Sequence, residues 1–195
     1  MSFMRSLISG VGLAWGGSHP SQAQSVPPSR GVPVALPTSL LALEQANGVG
    51  PLVFGRPLPT LLEEVSACRA LAGERVACWA AGYTVALDSL RLRGPTLLCY
   101  TGRLYGLYLP PCRAADTPAV RRWLRQHYGP GQALGHGQRL WPGPRVCVVY
   151  EPVWSGARTL RSRVAREQEQ GVVGVLSTPI LAQAQADRAV LRAWK

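Results

Sequence analysis

The stretch Gly94–Pro111, GPTLLCYTGRLYGLYLPP, constrains the fold more than any other part of the chain. Two apolar, aromatic runs, Thr96–Thr101 and Leu104–Leu109, flank Gly102-Arg103. Glycine at the first central position of a two-residue loop suits a type II′ turn, whose twist matches that of paired strands. In that register Tyr100 faces Tyr105 and Cys99 faces Gly106. Both faces of the hairpin are largely apolar, so it is expected at the centre of a sheet, with other elements covering it.

Helices and further hairpins flank this centre. Downstream, Asp116-Thr117-Pro118 opens a helix, with Asp or Thr as cap and proline in the first turn. Val120, Trp123, Leu124 and His127 share its inward face, and Arg121, Arg122 and Arg125 point to solvent. Tyr128-Gly129-Pro130 stops it. Gln138–Trp141 and Arg145–Tyr150 read as a hairpin around Pro142-Gly143. Thr159–Val164 suits a strand or a helix, and Ser177-Thr178-Pro179 caps a final helix. Upstream, Thr60 and Glu63 match a capping box, T-x-x-E, with Leu61, Val65, Cys68 and Ala72 on one helical face and Gly73 as the stop. Arg75–Ala80 and Tyr83–Leu87 read as another hairpin, around Ala81-Gly82. Hairpin-linked strands are antiparallel, so the expected class is α+β: an antiparallel sheet built from hairpins, with helices packed on one face.

The N-terminus sets the expected compartment. Met1–Arg5 is positively charged, Ser6–Trp15 is an apolar run of ten residues, and Ser21 and Ala23 are small residues at the −3 and −1 positions of a signal-peptidase site. The run is too short to span a bilayer, which takes about 20 residues. The expected organisation is a signal peptide over 1–23, a Pro-rich arm over 24–58, a core domain over 59–176 and a C-terminal helix over 177–195 packing on the core. The cleaved protein is expected to be periplasmic or secreted, with no transmembrane segment, in a space where disulfides persist.

All five cysteines lie after residue 67, and none forms a CxxC pair, which removes zinc-knuckle and thioredoxin motifs. Cys112 lies about six residues beyond the residue facing Cys99, or about 20 Å of extended strand. A disulfide needs Cα atoms within about 7 Å, so Cys99–Cys112 is ruled out in this register. A helix–strand return after Gly73 brings Cys68 to Cys78, the first expected bridge. Cys112–Cys147 is a weaker second, and Cys99 is a buried free thiol. The rival is five buried thiols in a reducing cell.

The order of elements carries a loose resemblance. A short capped helix from Thr60, strands, a Gly102-Arg103-Leu104-Tyr105 hairpin and a helix ending in Tyr128-Gly129-Pro130 resemble small exported bacterial helix-on-sheet domains. These are of the β-lactamase-inhibitor-protein type or the outer-membrane assembly accessory type. The likeness covers roughly residues 57–150. It implies a protein that binds other proteins and catalyses nothing, and it assigns no binding residue.

Catalytic motifs are sparse. There is no G-x-S-x-G elbow, HExxH, P-loop or strand-borne GxGxxG. Glu63 and Glu64 belong to a helix start, and Glu167 and Glu169 to a charged stretch, so no carboxylate pair suggests a glycosidase. After cleavage the histidines are His127, at a helix end, and His136, in Gly135-His136-Gly137. No cofactor and no metal is expected. A small Cys-His enzyme is the rival from another class. The net charge is +11, almost all from arginine, with Lys195 the single lysine. Arg121, Arg122 and Arg125 are candidate anion-binding residues. Export disfavours nucleic acid as the partner, so the expected partner is an envelope protein or an acidic envelope polymer. The reading is a non-catalytic interaction or structural protein of the bacterial cell envelope.

Overall fold

The computed structural model describes residues 33–71, 73–155 and 168–193. Strand β1 (Val34–Ala35) precedes helix α1 (Leu40–Ala46), whose N-cap Ser39 accepts from the Ala42 N–H at 3.1 Å and whose C-cap Asn47 is left-handed. Strands β2 (Gly48–Val49) and β3 (Leu52–Val53) pair with each other. A 3-10 helix over Leu58–Glu64 leads to β4 (Ala67–Ala70) and β5 (Arg75–Trp79). Next come β6 (Thr84–Leu87), β7 (Leu90–Arg93), β8 (Thr96–Tyr100) and β9 (Arg103–Tyr108). Helix α2 (Thr117–Tyr128) is followed by β10 (Gln132–Gly135), β11 (Gln138–Trp141) and β12 (Val146–Ser155). Strand β13 (Gln168–Ser177) runs into helix α3 (Thr178–Ala193).

Eight strands form the main sheet in the order β10-β11-β12-β13-β9-β8-β5-β4, with every neighbouring pair antiparallel. A smaller sheet orders β1-β6-β7, with β1 parallel to β6. The class is α+β, an antiparallel sheet built from hairpins with helices against it. Among the described residues no helix is long and apolar enough to cross a membrane.

One pleat of the main sheet supplies Leu97, Leu107, Val148, Tyr150, Val173 and Val175 to a core that also takes in Leu43 of α1 and Val120, Trp123 and Leu124 of α2. On the opposite pleat Leu98, Tyr108, Val149, Val172 and Leu176 are buried too. Helix α3 is the exception to helices sharing one face. Its Asp187 carboxylate accepts from the Tyr100 hydroxyl, and Tyr100 belongs to this second pleat. Glycine lets tyrosine rings of the neighbouring strands lie across β13. A Cβ on Gly174 would lie 2.8 Å from the Tyr108 ring, and one on Gly171 would lie 2.7 Å from the Tyr150 ring.

Several expectations need correction. Residues 33–58 are not an arm outside the core, because Leu36, Leu43, Val49, Leu52 and Phe54 are core residues. The helix expected from Thr60 is a 3-10 turn begun at Pro57. Thr60 Oγ1 donates back to the Pro57 carbonyl at 2.7 Å, and the chain then extends into β4. The hairpin expected over 75–87 is split: β5 joins the main sheet and β6 the small one. The central hairpin exists, but its turn is Thr101-Gly102, with φ of 47° and 73°, the positive pair that type I′ needs. Cys99 therefore pairs with Leu104, and a bulge before Leu98↔Gly106 leaves Tyr105 as the extra residue. Thr159–Val164 lies outside the described residues.

Candidate anion-binding groove

The sequence of α2 sorts its side chains cleanly. Val120, Trp123 and Leu124 are buried, and Arg121, Arg122 and Arg125 are exposed. The helix start is pinned to β13 by buried Thr117, whose Oγ1 accepts from the Gly171 N–H at 3.1 Å and lies 3.2 Å from the Glu169 carbonyl oxygen. The arginine face is thereby held beside β11, β12 and β13.

A groove of about 660 Å³ runs there. Its helix wall carries Arg121, Arg122 and Arg125, and its sheet side carries Arg139, Trp141, Tyr150 and Glu169. Arg121 lies 3.3 Å from Glu169 and 5.7 Å from the Tyr150 ring centroid. Glu169 also accepts from the Tyr150 hydroxyl at 2.7 Å, and burial followed by this carboxylate raises the Tyr150 pKa well above the usual phenol range. Arg139 donates to the Pro130 carbonyl at 2.7 Å. Arg122 and Arg125 have no hydrogen-bond or ion-pair partner among the described residues. Four guanidinium groups against one carboxylate leave three positive charges (4 − 1) along one wall and floor.

The aromatic rings nearby offer no stacking face. Trp141 is 4% exposed, Tyr150 1% and Trp123 5%. The groove can hold a ligand by charge and guanidinium hydrogen bonds, the mode in which arginine outperforms lysine.

The cysteines divide. Cys68 and Cys78 sit directly opposite each other on β4 and β5, Cα atoms 4.0 Å apart, and form a disulfide. The bridge joins two strands, not a helix and a strand. The Leu71 N–H bond to the Arg75 carbonyl sets the alternation that makes Cys68/Cys78 a close, non-hydrogen-bonded pair. Cys112 and Cys147, expected to pair, are both free and buried. The Cys112 N–H donates to Gly171, which faces Pro152, whereas Cys147 faces Leu176. Five positions of strand, about 17 Å, separate the two sites along the sheet, far beyond disulfide reach. Cys112 Sγ instead bonds the Gly171 carbonyl at 3.3 Å. Cys99 is free and buried, and burial pushes its thiol pKa up to about 11. Burial raises Cys147 likewise, to about 11.

His127 packs its ring 4.5 Å from Trp123, and His136 is exposed at the β10–β11 turn with φ of 48°. No thiol meets an imidazole, and no cluster of three metal-ligating side chains forms, among the described residues. A separate anomaly lies on the second pleat. Glu151 Oε1 is buried without a partner, and burial raises its carboxyl pKa from 4.5 to about 7.

Arg139, Tyr150 and Glu169 were not legible as site residues. Arg139 faces Tyr150 only because the β11–β12 loop runs to Arg145, which slides the register away from a tight turn at Pro142-Gly143. Glu169 enters through β13, a strand that the charged, glycine-interrupted run EQGVVGVLS does not announce. No family model, no curated protein and no solved structure matches the chain. The resemblance to small exported helix-on-sheet domains thus rests on element order alone, and one of its elements, the helix from Thr60, is a 3-10 turn.

Proposed function

We propose that the protein is an exported, non-catalytic binding protein of the bacterial cell envelope, and that the α2 groove holds an acidic envelope polymer. One observation carries the reading: Arg121, Arg122 and Arg125 of α2 converge with Arg139 of β11 on a single groove that contains one carboxylate. The Cys68–Cys78 disulfide supports an oxidising compartment. The Cys-His enzyme reading gains little, because Cys99 and Cys147 are buried thiols whose pKa is raised, the reverse of an activated nucleophile. Nucleic acid gains little because the groove's rings are covered, which leaves no platform for bases.

The test is binding of the full chain to polygalacturonate, with uncharged dextran as control. Affinity should fall steeply between about 0.05 M and about 0.5 M salt, as screening shortens. The triple variant Arg122→Gln/Arg125→Gln/Arg139→Gln should bind about tenfold more weakly at low salt, the sum of three modest exposed charge contacts. Salt-independent binding, or a triple variant that binds as well as the wild type, would reject the groove.

A further inference from the structure

The arginine groove contains one group that a plain anion site does not need. Glu169 lines it among four guanidinium groups, with its side chain 24% exposed. Its two oxygens are used unequally. Oε1 accepts from the Tyr150 hydroxyl at 2.7 Å and from Arg121 Nη1 at 3.3 Å, whereas Oε2 has only a second 3.3 Å contact to that same nitrogen. A carboxylate offers about four acceptor positions, so Oε2 keeps capacity to spare. The Tyr150 hydroxyl needs an acceptor, since Tyr150 is 1% exposed, but a neutral amide would serve it. The negative charge itself opposes any anion at this point. The groove is also uneven along α2. Glu169 belongs to the helix start, where its carbonyl oxygen lies 3.2 Å from Thr117 Oγ1. Arg139 belongs to the helix end, where it donates to the Pro130 carbonyl through one of its five N–H groups. Arg125 follows Arg121 by four residues, about 6 Å further toward that end. One end thus offers an acceptor, and the other offers guanidinium donors.

We infer that the ligand of this groove is an acidic saccharide, a sugar ring whose carboxylate is held by Arg125 and Arg139 while a hydroxyl of the same ring donates to Glu169. The inference rests on the groove reading above and adds the chemical class of the ligand. A sugar acid carries a carboxylate and hydroxyl donors one ring apart, which suits a groove with donors at one end and an acceptor at the other. A bare polyanion has no donor to offer and meets Glu169 only as a like charge, so Glu169 acts as a specificity-determining residue against it. An ammonium group would suit Glu169 but would face the four guanidinium groups around it.

The experiment compares two polymers on the full chain and on Glu169→Gln. Polygalacturonate has carboxylates and hydroxyls; polyacrylate has carboxylates and no hydroxyl. Glutamine keeps the side-chain length and an acceptor for the Tyr150 hydroxyl. Polyacrylate carries more charge per length, so charge alone favours it. The wild type should nonetheless bind polygalacturonate at least as tightly. In Glu169→Gln the ratio of the two affinities should shift about tenfold toward polyacrylate, the worth of a hydrogen bond to a charged acceptor. A purely structural role for Glu169 would change both affinities by the same factor and leave the ratio fixed. A fixed ratio, or tighter wild-type binding of polyacrylate, would overturn the inference and leave the groove reading standing, because both polymers would still bind through charge. Salt-independent binding of both polymers would remove the groove reading and the inference together. Should Glu169→Gln fail to fold, the wild-type comparison decides alone.

Discussion

The β4–β5 and β12–β13 hairpins belong to one sheet and are held together by different means. β12–β13 pairs over ten residues, from Val146↔Ser177 to Ser155↔Gln168, and Val146, Val148, Val149, Val172, Val173 and Val175 are all buried. β4 pairs over four residues, every one exposed, at the sheet's open edge. What β4 lacks in burial it has in a covalent bond, Cys68–Cys78, whose second sulfur belongs to a fully buried residue of β5. The contrast shows where a fold of this kind spends a disulfide: on the strand that the hydrophobic effect cannot retain.

Three experiments separate the two hairpins, in falling order of effect. Val148 is fully buried and faces Val175, so Val148→Asp puts an unpaired charge into the core. It should cost about 4 kcal/mol or more and abolish cooperative melting of the whole domain. A normal melt would show that the long hairpin is not the part on which the sheet depends. Reduction of Cys68–Cys78 opens a loop with a sequence separation of 10. Chain entropy assigns such a loop about 2.7 kcal/mol. The loss should be local: hydrogen exchange should speed up at the Ser66 and Leu71 amides, which bond the Trp79 and Arg75 carbonyls, while Val173 and Val175 keep their protection. Uniform loss of protection would mean that the edge is coupled to the core.

The third experiment exploits a flaw in the stronger hairpin. Glu151 lies in β12 opposite Val172, and burial raises its folded pKa from 4.5 to about 7. Between those values the folded state holds a proton that the unfolded state has lost, so stability falls as pH rises through the window. The residue as a whole is only half-buried, and solvent screening reduces the effect to about 1–2 kcal/mol. Glu151→Gln should remove the slope and stabilise the protein above about pH 7. Chemical denaturation across the window decides it, and an unchanged slope would place the titration elsewhere.

Local signals in the sequence were dependable, and signals that need distant pairing were not. Helix α2 was readable because its apolar period, proline start and glycine stop all lie within a few turns. The exposure of Arg121, Arg122 and Arg125 followed from that same period. Helix α1 carries a local start signal in its N-cap Ser39, but no local signal marks its burial, since Leu43 meets a core assembled from residues far along the chain. The central turn moved by one residue because Thr101 adopts a positive φ, which β-branched residues rarely do. T-x-x-E at Thr60 suggested a helix, yet the next residues found a strand partner in β5, and pairing prevailed over the capping signal. The groove inherits these limits: its helix wall was visible in the sequence, and its sheet side, Arg139, Tyr150 and Glu169, exists only once β11, β12 and β13 align.

Among the described residues β13 is the last strand, yet it lies between β12 and β9 and there joins β10-β11-β12 to β9-β8-β5-β4. During synthesis one half-sheet is complete in sequence at Tyr108 and the other at Ser155, both before the strand that unites them begins at Gln168. Until then β9 and β12 each present an open hydrogen-bonding edge, the kind of surface on which partly folded chains aggregate. Closure depends on contacts between residues remote in the chain, such as Val175 with Leu107, a topology that folds slowly. A protein built this way needs its C-terminal third delivered before it can become insensitive to its neighbours.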